Sequence, residues 1–264
     1  MIDRIVVPFD ATEVAERALL VAPELARRAG ATVELLMVGL GLSDEDEARL
    51  TAFADRAGCG WDYLNTGGDP EEVLLAAMRH GGGELWCMGS HARRGLGELI
   101  AGSLSERLVR DAHRPLVLVG PHVSAPPDGS VLAVAVDGTK ESAATVQDMA
   151  EVAGALGMSL QLLQVASSGS ADLPADAMET AYVRRVAGQT STLVRHEVDY
   201  DVLHGSSPAH DLATYAELHR DIAMIATATH GRSARQRLVH PSTSFDLVRH
   251  ATVPVLVVHP ATWT

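Results

Sequence analysis

The chain has 264 residues, enough for one large domain or two of ordinary size, each burying its own core. Hydrophobic residues make up 47% but aromatics only 4%, so the core must be built from Ala, Val and Leu, a composition suited to a parallel sheet packed between helices. A formal net charge of -13 argues against nucleic acid or an anionic membrane surface as the main partner.

From the start, Arg4 to Pro8 reads as a strand that ends at Asp10, and Thr12 can cap a helix predicted to run to Arg28, where Gly30 stops it. Thr32 to Val38 is the second strand, and Ser43 followed by Asp44, Glu45 and Asp46 opens a second helix with acids in its first turn. Trp61 to Thr66 is a third strand, residues 67–70 a turn, and Glu71 to Arg79 a helix with Pro70 near its first position. Leu85 to Met88 is a short apolar strand that stops at Gly89. A loop holding Gly89, Gly95, Gly97 and Gly102 follows, and Ser103 with Glu106 forms a capping-box pattern that opens the next helix. Pro115 leads into a last apolar strand, Leu116 to Val119. Strands alternating with helices imply parallel pairing and right-handed crossovers.

Residues Gly120 to Ser130 carry three prolines and no apolar periodicity, and they read as a linker. After it the same order of elements begins again. Asp10 and Asp137, like Val38 and Val165, are 127 apart (137 minus 10; 165 minus 38), whereas Pro70 and Pro208 are 138 apart and Pro115 and Pro254 are 139 apart. The extra dozen residues fall around Ser167 to Asp199, in and about the second helix of the second half. The expected organisation is therefore repeat 1 over 1–120, a linker over 121–130 and repeat 2 over 131–264, two tandem α/β units with five parallel strands each.

Cys59 and Cys87 are too few for a disulfide framework, and Cys87 falls inside an apolar strand, which suggests a reducing compartment. The start runs directly into a strand with no signal-peptide pattern, and no apolar stretch approaches the roughly 20 residues that span a bilayer. A cytoplasmic location is expected. His91 and His230 occupy matching loops, yet no acid is fixed beside either, and no Ser-His-Asp set can be assembled. The histidines show no metal-ligand spacing, so neither a catalytic nor a metal residue is assigned.

The glycine loop can turn backbone N–H groups toward one point, and a helix starting at Ser103 adds its own unpaired N–H groups, so an anion such as a phosphate could sit there. Arg93 and Arg94 in the loop fit an anionic ligand, although two arginines on an exposed turn are more often solvated or paired with nearby acids. The loop resembles the nucleotide loop of the universal stress protein family, G-x2-G-x9-G-Ser/Thr, with Gly89 in the first position, Gly102-Ser103 in the last two and Ala92 in place of the middle glycine. At a positive φ, alanine would cost about 1 kcal/mol relative to glycine. The resemblance covers nearly the whole chain, as a tandem member of an adenine-nucleotide α-hydrolase-like fold. It implies that Pro8, Asp10, Val38, Met88, Gly89, Gly102, Ser103, Leu104 and Ser105 bind adenine nucleotide, ATP with magnesium held largely by phosphates and water.

Each residue has a plainer reading beside this one. Val38 suits the core, Asp10 could cap the first helix, and Ser103 with Glu106 is a sufficient capping box without a ligand. In the second half, Asp137, Val165, Thr229, Gly231 and Ser242 match the same pattern, but only Gly231 keeps a glycine, and Pro241 removes a donor. Arg232, Arg235 and Arg237 could bind an anion with their side chains but better fit a solvated or interface role. By resemblance, single-domain members pair through their last strand, so Pro115 to Val119 and Pro254 to Val258 imply a fused pseudo-dimer, with a homodimer of chains as a further possibility. The expected function is nucleotide-dependent regulation in a stress response, with at most slow ATP hydrolysis. The alternatives are a ligand-independent interaction scaffold and an adenylating or hydrolytic enzyme.

Overall fold

The computed structural model describes residues 1–10, 12–90, 107–108, 114–167, 173–228 and 243–259. The first half contributes β1 (Arg4–Pro8), α1 (Glu13–Ala18), α2 (Ala22–Ala29), β2 (Thr32–Gly39), α3 (Asp44–Ala57), β3 (Gly60–Asn65), α4 (Pro70–His80), β4 (Glu84–Gly89) and β5 (Leu116–Val119). The second contributes β6 (Val131–Val136), α5 (Lys140–Ala155), β7 (Ser159–Ser167), α6 (Leu173–Val194), β8 (Asp199–Gly205), α7 (Pro208–Leu218), β9 (Ile222–Ala228), α8 (Thr243–His250) and β10 (Val255–Val258).

Local chemistry sets most of these boundaries. Thr12, Ser43 and Asp69 each accept a hydrogen bond from a first-turn N–H of the helix they precede. Gly30 and Gly58, at φ 66° and 63°, end α2 and α3 in the left-handed conformation. The single helix expected up to Arg28 is two. Leu19, Leu20 and Val21 bond three residues back at 3.0 Å each, and α2 starts afresh around Pro23, which has no N–H for the Leu19 carbonyl. The first strand also stops at Pro8 rather than at Asp10.

The ten strands form one sheet in the order β3-β2-β1-β4-β5-β10-β9-β6-β7-β8, parallel within each half and antiparallel where β5 meets β10. Its two faces are buried separately. Ile5, Val7, Leu85, Cys87, Val117 and their counterparts pack under α1, α2, α3, α5 and α6; Val6, Trp86, Met88, Leu116 and theirs pack under α4, α7 and α8. Both layers run through the junction, so the halves share one core on each face. Burial pushes the Cys87 thiol well above its ordinary pKa, as fits an inert core residue. The added length of the second half lies mostly in α6: the offset is 129 at its start (173 minus 44) and 137 at its end (194 minus 57) relative to α3.

Residues 120–130 form no helix or strand but are stitched to the first half. Val123 is buried, Arg17 donates to the Pro121 carbonyl at 2.9 Å, and Arg28 donates to the Pro127 and Gly129 carbonyls at 2.9 and 2.7 Å.

Candidate functional site

The strand order reverses at β1, which lies between β2 and β4, and a doubly wound sheet opens its ligand crevice at such a point, beyond the carboxyl ends of the strands. The ladders run to different lengths. Pairing of β1 with β2 continues to Pro8–Leu36 and pairing of β4 with β5 to Gly89–Val119, but pairing of β1 with β4 ends at Val6–Trp86. Pro8 lacks an N–H and cannot donate to β4, so the hydrogen-bonded ladder between the two central strands stops before it.

Pro8, Val38 and Met88 stand at the ends of three neighbouring strands. Strand alternation puts them on one face; Met88 is buried and Val38 half-buried in the apolar layer beneath α4. Val38 and Met88 are therefore core residues at the rim of the crevice. Phe9 points the other way, buried and edge-on to Phe53 of α3 at 4.9 Å between ring centres, and this anchors Asp10 next to it in an exposed position.

Asp10 does not cap α1 directly. Its Oδ1 accepts hydrogen bonds from Thr12 N at 3.0 Å and Thr12 Oγ1 at 2.6 Å, and Thr12 Oγ1 in turn accepts from Ala15 N at 3.3 Å. The second half repeats the device: Asp137 Oδ1 accepts from Thr139 N and Oγ1 at 3.0 and 2.7 Å, and Thr139 Oγ1 accepts from Ser142 N at 3.1 Å. One oxygen of each carboxylate thus positions the cap of the helix after the crevice. Gly89 has a second reason to be glycine, because a Cβ there would collide with the Val14 carbonyl of α1.

Gly102, Ser103, Leu104 and Ser105 lie outside the described residues, as do Ala92, Arg93, Arg94 and His91 and, in the second half, Thr229, His230, Gly231, Arg232, Arg235, Arg237, Pro241 and Ser242. The chain just beyond the first of these segments is firmly held. Leu108 is fully buried under α4. Arg107 donates to Asp69 Oδ2 at 3.3 Å and Glu71 Oε2 at 2.7 Å and also pairs with Glu72 at the start of α4. Sequence reasoning missed this clamp; its signal was the acidic run Asp69-Pro70-Glu71-Glu72, with Arg107, Arg110 and Arg114 as basic candidates later in the chain.

In the second half the central ladder runs further. Pairing of β6 with β9 reaches Val134–Ala226, one position further than the matching pair of the first half, where Ala135 stands in place of Pro8. Val165 is half-buried like Val38. Thr227, at the position of Met88, is buried with its hydroxyl 3.5 Å from that of Ser244, the counterpart of Ser105. Tyr182 of α6 donates its hydroxyl to the Thr139 carbonyl at 2.8 Å; its own burial and then the nearby Asp137 raise the phenol pKa. Among the described residues no group of three or more His, Cys, Asp or Glu is placed to hold a metal, and no helix is long and apolar enough to cross a membrane.

Comparison with curated protein sequences gives no match. Among solved structures, a universal stress protein from Archaeoglobus fulgidus DSM 4304 is similar over 97% of this chain and 98% of its own, at 20% identity and a TM-score of 0.65. A functionally unknown protein from Pseudomonas aeruginosa PAO1 is similar over 98% and 93%, at 16% identity and a TM-score of 0.62. A universal stress protein solved in complex with cAMP is similar over 50% of this chain and 98% of its own, at 17% identity and a TM-score of 0.43. The first two likenesses concern the fold: a mostly parallel sheet flanked by helices, in two units. The model of the universal stress protein family matches residues 39–120 and 131–259, on both sides of the stitched segment, and the chain belongs to that family.

Proposed function

We propose that the first half binds an adenine nucleotide, ATP favoured, in the crevice between β1 and β4, and that occupancy regulates a partner surface in a stress response rather than feeding a reaction. The observation that carries this reading is the early end of the β1–β4 ladder at Val6–Trp86. The pairing of the central strands thus ends before Pro8 and Met88, with Asp10 exposed just beyond β1 and Gly89 at the end of β4. The family's loop pattern adds Gly102, Ser103, Leu104 and Ser105 as the phosphate side, with magnesium carried by the phosphates and water. In the second half the longer ladder and the Thr227–Ser244 contact favour a structural role, so Asp137, Val165, Thr229, Gly231 and Ser242 are read as relics of the same geometry. The halves then act as a fused pseudo-dimer meeting at β5 and β10.

The test is to denature the purified protein, identify released nucleotide by chromatography and mass spectrometry, and measure ATP binding by equilibrium dialysis. One adenine nucleotide per chain is expected, lost in Gly102→Pro, which imitates Pro241. Asp10→Asn, which keeps an oxygen for Thr12, should weaken binding by about tenfold. Absence of nucleotide together with no ATP binding would leave the scaffold reading in its place.

A further inference from the structure

Away from the crevice, near the amino ends of the strands, α4 leaves a half-open cleft of about 200 Å3 against the sheet, lined by Arg4, Glu34, Asp62, Ala77, Glu84 and Trp86 with apolar residues between them. The second half shows what fills the equivalent space. At the position of Ala77 stands Tyr215 (215 minus 77 is 138, the offset of Pro208 from Pro70), and its ring lies between α7 and the sheet. Its hydroxyl accepts from Gln161 Nε2 at 2.9 Å and donates to Asp201 Oδ2 at 3.3 Å. Gln161 is the counterpart of Glu34 and Asp201 that of Asp62, and the ladders agree: Leu36 pairs with Asp62 as Leu163 pairs with Asp201. Even the local bonding matches, for Asp62 Oδ1 accepts from Tyr63 N and Asp201 Oδ1 from Val202 N, each at 2.8 Å.

The first half thus lacks the ring that its twin carries, and the polar tip of the site has changed. Where Gln161 donates to a hydroxyl, Glu34 can only accept, and Asp62 accepts as well. Arg4 donates to both Glu34 oxygens at 3.0 and 2.9 Å and also to Glu84, so the one cation is already engaged among three carboxylates. A ring whose tip carries several donor protons and a positive charge meets these demands; a hydroxyl satisfies one carboxylate only, and an anion is repelled. We propose that this cavity is a binding site for a small aromatic ammonium ion, with the ring in the place of the Tyr215 ring and the ammonium between Asp62 and Glu34.

The test uses the intact chain and the indole N–H signal of Trp86, which lines the cavity. Benzylamine should shift that signal saturably, p-cresol should need a concentration higher by at least about tenfold, and benzoate should leave it unmoved. Ala77→Tyr should abolish the benzylamine response, and Glu34→Gln, which restores the tip of the second half, should turn the preference toward p-cresol. Tyr215→Ala should open a second site, seen as new shifts at the Gln161 amide with p-cresol. No response to benzylamine, an equal response to benzoate, or a response that survives in folded Ala77→Tyr would overturn the proposal. Should Ala77→Tyr lose the dispersed spectrum of a folded chain, Tyr215→Ala decides: p-cresol shifts at Gln161 uphold the equivalence of the two spaces, and their absence refutes it.

Discussion

At Gly89 the end of β4 meets the first turn of α1, and any side chain there would run into the Val14 carbonyl, a backbone atom that cannot rotate away. Gly89→Ala is therefore expected to destabilise the protein by about 2 kcal/mol or more, because α1 must move to accept the methyl. Thermal unfolding followed by circular dichroism checks this, and an unchanged midpoint would show that α1 shifts without cost. The matching residue of the second half is Ala228, buried without such a clash, so the close approach belongs to the first half alone. Sequence reading gave Gly89 one task, opening the loop toward an anion. The second task arises from α1, about seventy-five positions earlier in the chain, and no local pattern encodes it. The Asp10–Thr12 pair was more legible, because an Asp two residues before a helix-capping Thr acts within one turn of chain.

At the scale of elements, α2 ties the stitched segment to the sheet through a relay of charges. Glu24 accepts from Arg27 and Arg28, and Arg28 reaches on to the Pro127 and Gly129 carbonyls. Hydrogen bonds from Arg27 first, then from Arg28, outweigh burial and hold the Glu24 carboxyl at about 2, against an ordinary 4.5. Because the folded pKa is the lower one, this contribution to stability is complete above pH 4.5 and is lost as pH falls toward 2. Denaturant midpoints measured from pH 6 down to pH 2 should therefore fall less steeply in Glu24→Gln than in the native chain; parallel curves would show that the relay adds nothing. Sequence periodicity found α2 but ran it together with α1. Pro23 was visible in the sequence, and its cost to the Leu19 carbonyl depends only on local geometry, so that division could have been read. The bonds from Arg28 to a segment about a hundred residues away could not.

Across the whole molecule, β5 and β10 join two parallel sheets by an antiparallel pair, with Val117 opposite Leu256 and both completely buried. Apolar clusters on both faces continue through that seam, so damage there should be felt in both halves. Val117→Asp places a carboxylate among fully buried apolar side chains and should cost about 4 kcal/mol. In scanning calorimetry both halves should melt in one transition at lower temperature; two separated transitions, with the second half unchanged, would show that the seam carries no cooperativity.

The sequence alone determined the alternation of strands and helices, the internal repeat with its late insertion, the caps at Thr12 and Ser43 and the glycine loop that points to the family. All of these are written in residues within a few turns of one another or in a repeat that can be laid on itself. Three-dimensional packing was needed to show where the β1–β4 ladder stops, that α1 presses on Gly89, and that an alanine under α4 leaves space which a tyrosine fills in the twin. Those features are set by which strands become neighbours and how far their ladders run, and such contacts join residues that lie tens of positions apart along the chain.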